Sequence, residues 1–225
     1  MKYSKIKNPS NRNGGFTLIE LAIVLVIIGI IIGAILKGQE LINNTKSKRF
    51  QNDLKNIESM LWTYFDRKGR WPGDCDIDGI VEFSPANAST TATALSSTTD
   101  PAPESCDAAT PSENQDAPFA DLRSARVATY STPNSLVAKH IMNGSFFIGQ
   151  ADDAAGSGER VNVIVAYSVP VWIAKMLDVS FDGSEDGSAG RIRRWDTAVA
   201  GAAWPSEASS DAMVSLAYMF DRVLP

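Results

Sequence analysis

Three groups of residues in this 225-residue chain have types and spacings that could do chemistry. The first is an acid in an apolar run. In GGFTLIELAIVLVIIGIIIGAILKG, which starts at Gly14, Glu20 is the one charged residue between Phe16 and Leu36. A carboxylate at the centre of a bilayer costs about 2.5–3.5 kcal/mol, and less near the interface. Glu20 therefore either reaches headgroups or awaits a cation. A cut after Gly15 would supply one, an amine on Phe16 one helical turn from Glu20. In a stack of subunits, Glu20 of one chain could neutralise the amine of its neighbour inside an apolar core. The second group is Asp74-Cys75-Asp76-Ile77-Asp78-Gly79, which reads D-x-D-x-D-G, the first half of a calcium loop. Glu82 and the Ile80 carbonyl can add ligands, but Pro85 stands where the twelfth-position acid belongs. The alternative is an exposed acidic turn. The third group is the cysteine pair, Cys75 and Cys106. On the exported side of a membrane, with no other thiol, the two are expected to pair. Closing a loop of about 30 residues contributes about 3.5 kcal/mol on the chain-entropy account. Two free thiols are the alternative.

Other chemistry finds little support. His140 is the one histidine, and two thiols with one imidazole cannot build a zinc site without several carboxylates. No G-x-S-x-G, H-E-x-x-H or P-loop occurs. Trp71, Trp172, Trp195 and Trp204 are scattered and read as packing residues. The chain is read as a non-enzyme. Its net charge is −5, and from Trp71 onward nine bases face 21 acids. So acidic a body would repel a phosphate backbone, and no nucleic-acid partner is expected.

These groups need elements to hold them. Residues 16–36 carry only Thr17 and Glu20 as polar residues and no proline. As a helix they span about 31 Å, close to a bilayer core, with lipid as the surrounding partner. Residues 1–15 hold Lys2, Lys5, Lys7 and Arg12 and no acid, which predicts a cytoplasmic start and an exported remainder. In an ordinary signal peptide the small residues follow the apolar region. Here Gly14-Gly15 precede it, so a cut there removes the basic leader and leaves the anchor. Gly29 and Gly33 have a small-xxx-small spacing that permits close helix contact, or are ordinary membrane-helix glycines. Over 37–70 the helix is expected to continue: Phe50, Leu54, Ile57, Leu61, Tyr64 and Phe65 form one apolar stripe for a sheet to cover. Lys68-Gly69 and Trp71-Pro72-Gly73 end it. Residues 71–225 form the exported globular domain. Within it, 84–118 is Ser/Thr/Ala/Pro-rich and is expected to be an exposed, mobile loop with almost nothing to bury. Strands are plainest at 145–148 and 161–169, the latter apolar on both faces and so central. Residues 170–177 read as a short helix, and 215–220 as a last strand or a short helix.

GG-FTLIE before an unbroken apolar helix resembles the signature of type IV prepilins and of the pseudopilins of type II secretion. YFDRKGRWPGD at 64–74 is similar to the junction that follows the helix in many pilin-like proteins. Looser likenesses are AKHIMNGSFFI at 138–148 and LDVSFDGSEDGSAGRIR at 177–193. The resemblance implies an α+β pilin-like fold, a long N-terminal helix packed on an antiparallel sheet. It implies cleavage between Gly15 and Phe16 and N-methylation of Phe16 by a membrane prepilin peptidase. It implies docking steered by Glu20, other pilin or pseudopilin subunits as partners, and an inner-membrane assembly platform. The subunit would first cross the inner membrane once, its C-terminal domain in the periplasm, and then enter a pilus or pseudopilus. Some pseudopilins hold structural calcium in a late acidic loop, which makes Asp178, Asp182, Glu185 and Asp186 a second candidate set beside a plain solvated turn. Many major pilins carry a proline where Lys37 stands here. Its absence and the size of the chain favour a minor pilin or a pseudopilin. A membrane-anchored periplasmic binding or adhesion module on the same anchor is the alternative.

Overall fold

The computed structural model describes residues 15–85, 95–99, 105–108, 114–152, 160–195, 201–206 and 212–221. The described elements are α1 (Leu18–Lys68), α2 (Ala117–Ser124), α3 (Asn134–Val137), β1 (Phe146–Asp152), β2 (Arg160–Pro170), α4 (Val171–Asp182), β3 (Ile192–Arg194) and β4 (Met213–Met219). The chain divides into two units, Met1–Asn44 and Thr45–Pro225.

In the first unit, every residue from 15 to 37 is exposed, including Leu25 at 62% and Ile30 at 68%. Among the described residues α1 is the one helix long and apolar enough to cross a membrane.

In the second unit the 3.6-residue period of α1 is put to use. Phe50, Leu54, Ile57, Leu61 and Tyr64 are all buried in the core. Gly69 ends the helix in the left-handed conformation (φ +71°), and its N–H caps the Phe65 carbonyl at 2.8 Å. The sheet is antiparallel throughout, in the order β1-β2-β4-β3. β2 is central, as its two apolar faces require: Ile164 pairs with Ile148 on one side and Tyr218 on the other. Alternation along β1 separates two layers. Phe146 meets Phe50 of α1 at 5.5 Å between ring centres, while Phe147 meets Phe83 and Tyr167. The long N-terminal helix on an antiparallel sheet is the α+β pilin-like arrangement expected from the sequence.

Several local expectations need adjusting. The segment after β2 is a 12-residue helix, longer than 170–177, because nothing stops it before Gly183 takes the left-handed C-cap (φ +77°). Residues 215–219 fall in a strand, β4, whose partners β2 and β3 lie far away in sequence, and Phe220 follows its end. The Ser/Thr-rich stretch departs from the expected exposed loop at several described positions, although Ser84, Ser97, Thr98, Thr99 and Asp107 are exposed. Leu95, Ser105, Asp116 and Ala117 are buried. The partners of the stretch lie outside it: Ser105 donates to Asp121 Oδ1, Asp116 accepts from Asn134 Nδ2, and the wholly buried Arg123 donates to the carbonyls of Thr99 and Tyr130 and to Asn134 Oδ1. The remainder of 84–118 lies outside the described residues.

Candidate functional site

Glu20 sits in the first turn of α1. The Thr17 N–H and hydroxyl both donate to Glu20 Oε2, at 2.8 and 2.9 Å, and the Glu20 N–H donates back to Thr17 Oγ1 at 3.3 Å. This reciprocal T-x-x-E arrangement is a capping box, in which each side chain satisfies a donor at the helix start. The T-x-x-E spacing is present in the sequence, where Glu20 otherwise reads as an acid that reaches headgroups or awaits a cation. Its second oxygen, and the whole apolar surface beside it, face outward. Gly29 and Gly33 lie in that exposed stretch with nothing within 4 Å of a side chain built on them.

In the second unit, Cys75 and Cys106 form the disulfide, across a separation of 31 residues. Beside it lies a group the sequence did not single out. Asp121, 1% exposed, accepts five hydrogen bonds. On Oδ2 it receives the Tyr64 hydroxyl at 3.2 Å, Arg70 Nη1 at 2.8 Å and the Gly73 N–H at 3.0 Å. On Oδ1 it receives the Ser105 hydroxyl at 2.6 Å and the Cys106 N–H at 2.9 Å. One carboxylate thus joins the end of α1, the turn after it, the disulfide loop and α2. Burial, reinforced by Asp121, pushes the Tyr64 hydroxyl far above the ordinary tyrosine range, so it serves only as a donor. A lone acid in APFADLRS carries no pattern that would have revealed this.

The two acidic loops fare differently. Asp74, Asp76, Asp78 and Glu82 each bring a carboxylate oxygen within 4.8 Å of the others. Asp74 is buried and accepts the N–H groups of Ile77 (2.7 Å) and Gly79 (3.1 Å). Asp76 accepts from Asp78 and Asp78 from Ile80. Burial raises the Asp74 carboxyl above its usual range, and its acidic neighbours add to this. A set of hard oxygens with an excess of negative charge suits calcium.

The second set does not gather. Glu185 is drawn to Lys175 at 2.7 Å. Asp186 turns outward onto Ser188, and only its N–H reaches Asp178 Oδ2. Among the described residues no group of three or more ligands forms there. Asp178 and Asp182, one helical turn apart on α4, instead clasp the following loop. Trp204 Nε1 donates to Asp178 Oδ2 at 2.6 Å, and the N–H groups of Arg191 and Ile192 donate to Asp182 Oδ2. Both Oδ1 atoms are buried without a hydrogen-bond partner. Burial pushes the Asp178 carboxyl up to about 6, and the Asp182 charge adds to it.

His140 is a packing residue. Its ring lies against Phe50 and Phe146, Nδ1 accepts the Met142 N–H, and Nε2 faces the Tyr167 carbonyl. Burial holds it down to about 4, hence neutral. Trp71 and Trp195 are likewise buried.

A long N-terminal apolar helix packed in its second half on a four-stranded antiparallel sheet is consistent with an α+β pilin-like fold. Residues 10–36 match the family model described as the Prokaryotic N-terminal methylation motif, so the chain carries the prepilin-type signature at its N-terminus. No curated protein and no solved structure matches the chain. The signature points to a structural subunit rather than an enzyme and fits anchoring in a membrane.

Proposed function

We propose that the chain is a pilin-like structural subunit, cut between Gly15 and Phe16, methylated on Phe16, and assembled from the inner membrane into a type IV pilus or a type II secretion pseudopilus. The observation that carries this reading is the match at residues 10–36 on the start of a helix whose apolar residues over 18–37 are all left uncovered by the chain itself. Before assembly lipid covers that surface; afterwards neighbouring helices do. The capping box leaves the Glu20 carboxylate at the helix start, where an amine on Phe16 of an adjacent chain can reach it. The prepilin peptidase, sister subunits and the assembly platform are the partners. Calcium is the proposed structural ion, held by Asp74, Asp76, Asp78 and Glu82; it would neutralise the crowded carboxylates and stiffen the turn after α1.

Co-expression with a prepilin peptidase, followed by N-terminal sequencing and mass measurement, tests the processing. The expected product starts at Phe16 and carries one extra methyl group, and an intact Gly15 would sink the proposal. Glu20→Ala should be cleaved normally and enter filaments poorly, and normal incorporation would remove its docking role.

A further inference from the structure

We propose that the second unit makes a head-to-tail contact with another copy of this chain, in which Ile77, between Asp76 and Asp78, enters the cavity that Arg49, Lys139 and Ile141 line on its neighbour. The inference deepens the proposed function and rests on the reading of the chain as an assembling subunit.

Three observations lead to it. The first is a residue held in an unfavourable state. Ile77 sits at the tip of the acidic turn, 69% exposed, with φ +65°. A β-branched side chain is strained in that left-handed region, which glycine and asparagine take more readily. The turn is nonetheless built to hold Ile77 there. Asp74 Oδ1 accepts the Ile77 N–H at 2.7 Å, Asp74 Oδ2 accepts that of Gly79 at 3.1 Å, and Cys75 is tied down by the disulfide. Burying Ile77 against a partner offsets what its exposure loses, and strain of this kind gathers where a protein binds.

The second is a cavity of about 340 Å³ lined by Arg49, Asp53, Lys139, His140, Ile141 and Asn143. It has room for an isoleucine side chain, and Ile141, 36% exposed, supplies an apolar wall. Arg49 and Lys139 are exposed and, among the described residues, take part in no ion pair. Asp53 is the acid in the lining; its Oδ2 accepts the Ile141 N–H at 3.1 Å, and His140 is neutral. Two cations against one carboxylate leave the cavity net positive. Around Ile77, Asp74, Asp76, Asp78 and Glu82 supply four carboxylates, and the turn stays net negative even with one divalent cation among them. Apolar tip matches apolar wall, and the charges around the two are opposite.

The third is placement within the second unit. β2 separates the two features. At one end the Asn162 side chain donates to the Gly79 carbonyl and accepts the Val81 N–H of the acidic turn. At the other the Tyr167 carbonyl faces His140 of the cavity. The five residues between are about 17 Å of strand. α1 runs the same way: Phe50 packs on His140, while Tyr64 shares Asp121 with Gly73 at the start of the turn. From Arg49 to Lys68 is about 28 Å of helix. A contact between two different patches at opposite ends joins copies head to tail into an open chain, the geometry a filament needs.

The full chain in detergent micelles carries p-benzoylphenylalanine in place of Ile77 and is mixed with an unmodified copy labelled with heavy nitrogen before ultraviolet cross-linking. Mass spectrometry should join residue 77 of the light chain to residues 139–143 of the heavy one. A probe in place of Ile141 should reach residues 76–78 of the other copy, which keeps the test decisive if the bulkier ring disturbs the acidic turn. Arg49→Glu, Lys139→Glu in the heavy chain should lower the yield about tenfold, and Arg49→Lys, Lys139→Arg should keep it. Salt near 1 M, where the Debye length is about 3 Å, should lower it as well. Cross-links confined to single chains, or running from residue 77 to residue 77, overturn the proposal, as does a yield unmoved by the charge reversal. Attachment to residues 18–44 of the other copy marks association through the apolar helix and also overturns it. An intact Gly15 in the co-expression test sinks the subunit reading itself; in a correctly cut chain, missing cross-links sink only this contact.

Discussion

The two stretches of α1 are one helix in two solvents. Over 18–44 the apolar residues run round every side of the helix and all stay exposed; over 45–68, Trp62 apart, they keep to one stripe, and that stripe is buried at Phe50, Leu54, Leu61 and Tyr64. The first stretch is left uncovered by its own chain; on the proposed function, lipid and then sister helices cover it. The second is covered by the sheet of its own chain. On that reading hydrophobic burial contributes to assembly in one case and to folding in the other. The acids follow the same division. Glu20 makes only local bonds and keeps its charge outward, whereas Asp121 spends both oxygens inside the fold.

The contrast can be broken most forcefully at Asp121. Asp121→Ala leaves Arg70 buried beside a lost partner and strands four other donors, and should cost about 3–5 kcal/mol. Denaturant unfolding of the full chain in detergent should show this at the midpoint of the second unit, while Glu20→Ala leaves that midpoint unchanged. Next come the apolar residues. Leu61→Ala, at a site with no exposure, should lose about 3 kcal/mol. Leu25→Ala, on the uncovered stretch, should change the same unfolding transition by less than about 0.5 kcal/mol, as surface changes do. An equal loss at both positions would show that the chain covers its own N-terminal helix after all.

Smaller effects sharpen the picture within the second unit. The fold raises the Asp178 carboxyl to about 6, above the 3.8 of the unfolded chain. The native state therefore holds the proton more tightly than the unfolded state, and stability falls as pH rises from about 4 through 6. Asp178→Asn keeps an acceptor for Trp204 and can donate to Asp182. It should stabilise by about 1–2 kcal/mol at pH 7 and give no gain at pH 4. A gain that is the same at both pH values would exclude titration as its cause. Calcium should raise the melting temperature by about 2–4 °C if it contributes about 1 kcal/mol to a chain of this size. That shift should vanish with chelator and in Asp76→Asn, and no shift at millimolar calcium removes the ion from the acidic turn.

Much of the architecture was legible because it rests on local periodicity. The stripe at Phe50, Leu54, Ile57 and Leu61, the stop at Gly69 and the doubly apolar β2 each follow from spacing within one segment. What stayed hidden depends on residues distant in sequence. Asp121 draws its partners from Tyr64, Arg70, Gly73, Ser105 and Cys106, and nothing in the eight residues of α2 announces them. The acidic loops looked alike as strings. Three-dimensional packing gathered Asp74, Asp76, Asp78 and Glu82 but sent Glu185 to Lys175 and set Asp178 beside Trp204. The Ser/Thr-rich stretch looked empty of anything to bury because its partners lie outside it: Arg123 holds the Thr99 carbonyl, Asp121 the Ser105 hydroxyl and Asn134 the Asp116 carboxylate.

The sequence by itself determined the prepilin-type junction, the helix and where it stops, since cleavage signals, hydropathy and helical period are properties of consecutive residues. Only the tertiary structure decided which acids act alone and which act together. A carboxylate's surroundings are set by the chain folded around it, and for Asp121 and Asp178 those surroundings come from segments tens of residues away.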